Sequence, residues 1–145
     1  MKAVVQRVAR ARALVDDAVV GEIGGGLCIL LGIAEGDDEA TAARFAGKIG
    51  RLRIFENEEG KFDRSVLDVS ADALVVSQFT LIADTQKGNR PSFSHAARPE
   101  LAESLYEAFC AALEAEGVRV ARGVFGARMG VELVNDGPVT IVLDV

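Results

Sequence analysis

The chain has 145 residues, of which 50% are hydrophobic and 26% charged, and its formal net charge at pH 7 is −6. A chain of this size buries enough surface to fold as one domain, residues 1–145, without a metal or a disulfide to stabilise it. One histidine, His95, excludes a site of several histidines, and two cysteines without a CxxC pair argue against a zinc ribbon or a disulfide-rich secreted scaffold. We expect a reduced, cytoplasmic protein that needs no metal or cofactor and whose apolar runs are too short to span a membrane.

Strands dominate the first part of the chain. Residues 2–10 are rich in valine and predict a strand, and residues 11–15 and 18–23 flank two aspartates that suit a hairpin turn. After three glycines, residues 27–33 are continuously apolar, which predicts a central strand buried on both faces.

A helix is expected next, because Asp37 or Asp38 can cap it and apolar residues then recur at helical spacing. Residues 53–55 predict a short strand, and residues 57–60 predict a polar turn. Residues 74–82 form a second strongly apolar run and predict another strand. The apolar stripe of the helix is Ala42, Phe45, Ala46, Ile49 and Leu52.

A second helix is predicted after a polar loop over residues 84–93. Pro99 suits its first turn, and Gly117 suits its C-terminal end. Its buried stripe is predicted to be Leu101, Leu105, Ala108, Phe109, Ala112 and Leu113. Further strands are predicted over residues 118–121, 131–134 and 139–145, the last two separated by a tight turn at 135–138.

These elements predict an α+β fold. We expect a single domain of mixed and antiparallel β-sheets that form a barrel-like layer, with two main helices packed on one side. No repeat, low-complexity tract or linker divides the chain.

Basic residues are concentrated in three segments that contain no acid, residues 1–12, 40–55 and 117–130. An acidic protein with this distribution can still present a basic face to RNA. On charge alone, the alternative that these are solvated faces of separate elements is favoured.

Ser77, Gln78 and Thr80 place hydroxyl and amide groups inside an apolar run, where they are unfavourable unless they find partners. If they point into a pocket, these groups and the backbone N–H groups can hold a carbonyl or an oxyanion. The alternative is the ordinary alternation of a strand.

The segment 135–140 places glycine before proline, which suits a sharp turn, and an X–Pro bond is the one peptide bond for which cis is readily accessible. A simple hairpin turn is the alternative. The glycines of segment 123–130 do not follow the dinucleotide-binding spacing. Cys28 and Cys110 are expected in the core, and His95 has no obvious place in a Ser-His-Asp set.

Taken together, these segments resemble the D-aminoacyl-tRNA deacylase family, essentially from end to end. Two signatures of that family are intact, Ser-Gln-Phe-Thr-Leu at 77–81 and Asn-Asp-Gly-Pro-Val-Thr at 135–140. Both occur at the expected separation in a chain of the expected length, which makes the resemblance highly specific. The other matching segments are residues 1–8, 52–55, 60–61, 87–93 and 123–127.

The resemblance implies an enzyme, a carboxylic ester hydrolase that releases the D-amino acid and free tRNA from D-aminoacyl-tRNA. It implies a homodimer with active sites at the subunit interface, acting on the 3′ end of aminoacylated tRNA, with no DNA or membrane partner. In the family, Gly137 and Pro138 would form a cis pair that enters the partner's site and excludes the L side chain. Glycine has no side chain, so glycyl-tRNA(Ala) would also be accepted.

The resemblance also assigns roles to residues. Ser77, Gln78, Phe79 and Thr80 would form the catalytic segment, with the 2′-OH of the terminal adenosine assisting attack by water rather than Thr80 acting as nucleophile. Arg7 would hold the turn at Gly137 and Pro138. The residues that would bind substrate are Phe125, Met129, Lys87, Arg90 and Asn135. Arg128 either adds a phosphate contact or is a surface variant.

Two other functions compete with the deacylase. One is a protein that binds the tRNA end without catalysis, which turnover would distinguish. The other is a hydrolase of small esters or thioesters that uses the same pocket, which would not depend on RNA.

Overall fold

The computed structural model describes residues 1–145 and consists of eight strands and two helices, joined by turns. None of its helices is both long and apolar enough to cross a membrane. The strands are β1 (Lys2–Val15), β2 (Ala18–Ile23), β3 (Gly26–Gly32), β4 (Phe55–Glu56), β5 (Phe62–Arg64), β6 (Asp72–Ser77), β7 (Val120–Arg122) and β8 (Gly130–Asp144). The helices are α1 (Glu39–Gly50) and α2 (Pro99–Glu116), with a short 3₁₀ helix at Phe79–Ile82.

Strand β1 organises the main sheet. Along one edge it pairs antiparallel with β3 through its first half and with β2 through its second half, and along its other edge it pairs with β8. Strands β3, β6 and β7 continue the sheet in parallel. Strand β7 comes back against β2, where a Cβ on Gly21 would lie 2.3 Å from the Arg122 carbonyl oxygen. The predicted α+β fold, with a barrel-like layer and two helices, is confirmed.

Both helices pack on the sheet through apolar stripes. Phe45 of α1 and Phe109 of α2 meet edge to face with ring centroids 6.2 Å apart. The Tyr106 hydroxyl donates a hydrogen bond of 2.7 Å to the buried Val75 carbonyl of β6. Cys28 and Cys110 are buried as expected, and burial raises the pKa of the Cys28 thiol to about 11 and that of the Cys110 thiol to about 12.

The sequence signals that predicted the helix ends and the hairpin turn are confirmed. The Asp38 side chain caps α1 by accepting from the Thr41 N–H at 2.8 Å. Pro99 starts α2, and Gly117 ends it with a φ of 111°. Asp16 and Asp17 form the hairpin turn with positive φ at both, the geometry that suits a tight two-residue connection.

Strand β8 differs from the prediction. The predicted strands 131–134 and 139–145 are halves of one strand, because both pair with β1. The turn between them is therefore no hairpin. Asn135 lies opposite Val8 and Thr140 opposite Gln6, so four residues of β8 bulge out opposite the single residue Arg7.

Two strand boundaries and one predicted core position were also wrong. The strand predicted over 74–82 ends at Ser77, and the chain then turns into the 3₁₀ helix. The short strand predicted at 53–55 lies at Phe55–Glu56, where it pairs with β5. Leu101 is 43% exposed, because the buried face of α2 starts at Ala102 and leaves Leu101 at its margin.

Leu101 and Leu105 allow a matched test of this packing, since they lie one turn apart on the same helix. Leu105 is 2% exposed, so Leu105→Ala should lower the free energy of unfolding by about 2–5 kcal/mol. Leu101→Ala should lower it by less than about 1 kcal/mol. Urea unfolding at fixed protein concentration measures both, and equal losses would contradict the packing described here.

Candidate active site

The Ser-Gln-Phe-Thr-Leu segment, residues 77–81, begins at the last residue of β6. Ser77 lies opposite Leu31 of the parallel strand β3, and the Gln78 N–H donates to the Leu31 carbonyl at 2.8 Å before the chain leaves the sheet. Gly32 permits this close turn, because a Cβ there would lie 3.0 Å from both the Gln78 oxygen and the Leu81 Cβ. The segment therefore lies at the carboxyl end of a parallel strand, the usual place for ligand sites in such sheets.

A cavity of about 650 Å³ opens beside this turn. Its walls come from the end of β6 (residues 76–79), the segment that leads into α2 (93–102) and the loop after β7 (125–131). Most of the lining is hydrophobic, and the polar side chains are Ser77, Gln78 and Arg98. An apolar cavity with few polar groups is typical of a small-ligand site.

Aromatic and thioether groups shape the walls of the cavity. Phe79 is 56% exposed and meets Phe93 edge to face at 5.0 Å between centroids. Phe125 packs on Tyr106 at 6.2 Å. The Met129 sulfur accepts the Val124 N–H at 3.4 Å, and this sulfur would lie only 2.7 Å from a Cβ on residue 123, which is glycine. The loop at residues 123–129 therefore packs closely around the Met129 sulfur.

Thr80 is exposed and does not line the cavity. Its hydroxyl accepts a hydrogen bond from the side-chain amide of Gln78, a group that cannot take up a proton. His95 lies in a different depression, with Asp37 and Asp144. The structure therefore gives Thr80 no base to activate it.

Arg7 is the buried charge of the molecule, at 6% exposure. Its guanidinium donates to the Ile54 carbonyl at 2.9 Å, to the Asp136 carbonyl at 3.1 Å and to the Glu56 carboxylate at 3.4 Å. It also lies 5.8 Å from the centroid of the Phe62 ring. These contacts fix the start of the bulge in β8.

Asn135 fixes the bulge from the other side. Its side-chain oxygen Oδ1 accepts a hydrogen bond of 3.0 Å from the Val139 N–H. Its side-chain NH₂ group donates one of 3.0 Å to the Thr140 hydroxyl. Between these contacts the Gly137–Pro138 peptide is cis and exposed to solvent. The turn is therefore exposed and held at both ends by side-chain hydrogen bonds.

The structure brings together five of the predicted site residues, which line one cavity: Ser77, Gln78, Phe79, Phe125 and Met129. The others lie outside the lining in this chain: Thr80, Arg7, Gly137, Pro138, Asn135, Lys87 and Arg90. Sequence analysis missed the wall at 93–102, which includes Arg98. The only sequence signal in this segment was Pro99, which predicted the start of α2.

A family model described as D-Tyr-tRNA(Tyr) deacylase matches residues 4–144. The chain belongs to this family. Membership confirms the predicted resemblance and the predicted class of enzyme, a hydrolase of carboxylic esters.

Relatives agree with the family along the whole chain. A D-aminoacyl-tRNA deacylase of Roseiflexus sp. (strain RS-1) is 60% identical over 99% of this chain and 93% of that protein. One of Deinococcus radiodurans is 56% identical over 100% of both chains.

Solved structures share the fold. One described as c-Myc DNA Unwinding Element Binding Protein has a TM-score of 0.94 and 44% identity, over 100% of this chain and 99% of its own. Another, described as a probable eukaryotic D-amino acid tRNA deacylase, has a TM-score of 0.84 at 19% identity, over 99% of this chain and 98% of its own, and supports the fold alone.

The contact at Gly32 gives a stability prediction. Gly32→Ala should lower the free energy of unfolding by about 1–3 kcal/mol, because the new methyl group pushes on the backbone of the 78–82 turn. Gly24→Ala is the matched control, since nothing lies within 4 Å of a Cβ there. Thermal and urea unfolding of both variants test this, and an unaltered Gly32→Ala protein would refute the close approach.

Proposed function

We propose that this protein hydrolyses the ester that links a D-amino acid to the 3′ end of tRNA, in the cytoplasm, as a step of translation quality control. The observation that carries the proposal is the meeting of Ser77, Gln78 and Phe79 with Phe125 and Met129 around one apolar cavity. The cavity volume of about 650 Å³ suits an aminoacyl group with its adenosine.

Backbone groups supply the electrostatic part of the reaction. The first N–H groups of a short helix have no partner inside it, which leaves those of Phe79 and Thr80 available to a ligand. Donors fixed in this way stabilise the negative charge that develops on an ester carbonyl during attack. They place the carbonyl, and the Ser77 and Gln78 side chains border it.

The attacking water is assisted by the RNA. Thr80 has only the Gln78 amide as side-chain partner, and an unassisted hydroxyl is a weak nucleophile at neutral pH. The 2′-OH of the terminal adenosine lies next to the scissile ester in any such substrate. It takes the role that a partnered side chain has in other hydrolases.

Selection for the D form comes from the turn at Gly137 and Pro138 of a second copy. The turn is exposed, it is fixed by Arg7 and Asn135, and it does not reach the cavity of its own chain. Inserted by the partner of a homodimer, its carbonyls exclude an L side chain at the α-carbon. A discrimination of about 10⁴-fold requires roughly 5.5 kcal/mol, which a steric clash readily supplies.

Exclusion by backbone carbonyls does not depend on which side chain the amino acid carries. It rejects one hand of the α-carbon and accepts any residue without a side chain on that face. Glycyl-tRNA(Ala) is therefore a second substrate.

The decisive experiment compares hydrolysis of D-tyrosyl-tRNA and L-tyrosyl-tRNA by the purified protein in the presence of a chelator. A third substrate carries D-tyrosine on a tRNA that ends in 2′-deoxyadenosine with the ester at its 3′ oxygen. We expect rapid loss of the D ester alone, abolished by the deoxy end. Binding without turnover would indicate a tRNA-end binding protein, and equal hydrolysis of simple amino-acid esters would indicate a small-ester hydrolase.

Gly137→Ala tests the turn. A Cβ there would lie 2.9 Å from a Val139 methyl and 3.1 Å from the Arg7 guanidinium, at a φ of 132° that disfavours L residues. We expect kcat/KM for D-tyrosyl-tRNA to fall by about tenfold or more. Gly130→Ala, in the same strand with nothing within 4 Å, should keep full activity. Unchanged turnover by the Gly137 variant would remove the turn from the site.

Thr80→Val tests the assistance by RNA. Because the hydroxyl is not required as nucleophile, kcat should stay within about tenfold of wild type in single-turnover assays. A loss of several orders of magnitude in a variant with an unaltered unfolding curve would make Thr80 the nucleophile.

A further inference from the structure

Most of the basic side chains are neutralised by carboxylates. Of the 16 lysine and arginine residues, nine lie within 4 Å of an acid, among them Arg122 with both Glu107 and Glu114. Seven have no such partner: Arg10, Arg44, Lys48, Lys87, Arg90, Arg98 and Arg128. In a chain with 22 acids, unpaired cations mark the surfaces where an external anion meets least competition.

Four of these seven belong to the segments that form the cavity. Arg98 lines it directly. Arg128 lies between Ala127 and Met129, which both line it. Lys87 and Arg90 lie in the loop that runs to Phe93, another lining residue. All four residues are exposed, so their charges are accessible to a ligand.

The loop that bears Lys87 and Arg90 is closed at its base. Asp84 and Ser92 exchange two backbone hydrogen bonds of 2.8 Å, and the Asp84 carboxylate accepts the Gln86 N–H at 2.9 Å. The two cations are therefore carried on a closed loop that rejoins the cavity wall at Phe93.

We propose that Arg98, together with Arg128, binds the phosphates on the 5′ side of the terminal adenosine and thereby positions the aminoacyl ester in the cavity. This rests on the proposed function. Arg98 takes the phosphate next to the adenosine, because it is the cation among the residues that line the cavity. Arg128 takes a preceding phosphate, and Lys87 and Arg90 extend the path. A guanidinium suits this role, since its planar fork binds two phosphate oxygens at once.

A phosphate is the anion that this position meets in the proposed substrate. The α-carboxyl of the amino acid is esterified and carries no charge, while each nucleotide linkage beyond the adenosine carries one negative charge. Arg98 and Arg128 are therefore positioning residues for the RNA, distinct from the groups that border the ester.

The test compares full-length D-tyrosyl-tRNA with the nucleoside ester 3′-D-tyrosyl-adenosine, which keeps the ester and the terminal adenosine but lacks every phosphate and nucleotide beyond it. For Arg98→Gln we expect kcat/KM on the tRNA to fall about 5- to 20-fold, mainly through KM. The ratio of kcat/KM between the tRNA and the nucleoside ester should fall by a similar factor. The slope of log KM against log salt concentration should decrease by about one unit, the value for one phosphate contact.

Arg44→Gln is the matched control, because Arg44 is also unpaired and exposed but lies on α1, away from the cavity lining. It should keep the wild-type ratio and salt slope. Arg98→Lys should recover part of the loss, since it restores the charge without the fork. Arg128→Gln should behave as Arg98→Gln does, with a smaller effect.

Three results would overturn the proposal. An equal loss on both substrates would mean that Arg98 acts on the ester or on the shape of the cavity. A larger loss from Arg44→Gln would place the RNA over α1. Wild-type kcat/KM on both substrates in Arg98→Gln would remove this residue from the RNA path.

Failure of the proposed function is a separate outcome, in which the wild-type protein hydrolyses neither substrate. Fluorescence anisotropy with uncharged tRNA then tests the phosphate contact by itself. Weaker binding by Arg98→Gln than by Arg44→Gln supports the contact, and equal binding refutes it.

Discussion

The burial of the Arg7 guanidinium determines the shape of the exposed bulge in β8. Arg7 has only 6% exposure, so its N–H groups must find acceptors inside the protein. They find them on the Ile54 and Asp136 carbonyls and the Glu56 carboxylate, which belong to parts of the chain that are far apart in sequence. That single group therefore joins β1, the segment before β4 and the bulge of β8, and the shape of the bulge depends on it.

The cavity is built on a different principle from the bulge. Around the cavity, apolar side chains provide shape, and the short 3₁₀ helix provides backbone donors. Arg98 is the only residue with an ionisable side chain in the lining, so no histidine, cysteine or carboxylate borders the cavity. Under the proposed function, the protein therefore contributes position and exclusion, and the 2′-OH of the substrate contributes the reactivity.

Local sequence signals predicted local structure well. The cap at Asp38, the αL glycine Gly117 and the apolar run of β3 each act within a few residues, and each is where it was predicted. The errors concern partners that are distant in sequence. The Gly-Pro turn resembles a hairpin locally, and only its pairing with β1, about 130 residues away, makes β8 one strand. The wall at 93–102 has no periodic pattern, so its place beside the cavity depends on tertiary packing alone.

The pairing of β1 with β8 has a consequence for the nascent chain during synthesis. Strand β1 leaves the ribosome well before β8, and the edge that pairs with β8 has no such partner until residues 130–144 follow. At about 5–20 residues per second this interval lasts roughly ten seconds. During that time the backbone N–H and C=O groups of this edge are open to other chains, and the basic residues of β1 oppose such pairing: Lys2, Arg7, Arg10 and Arg12. The order of synthesis therefore makes the pairing of β1 with β8 the last contact of the main sheet that can form.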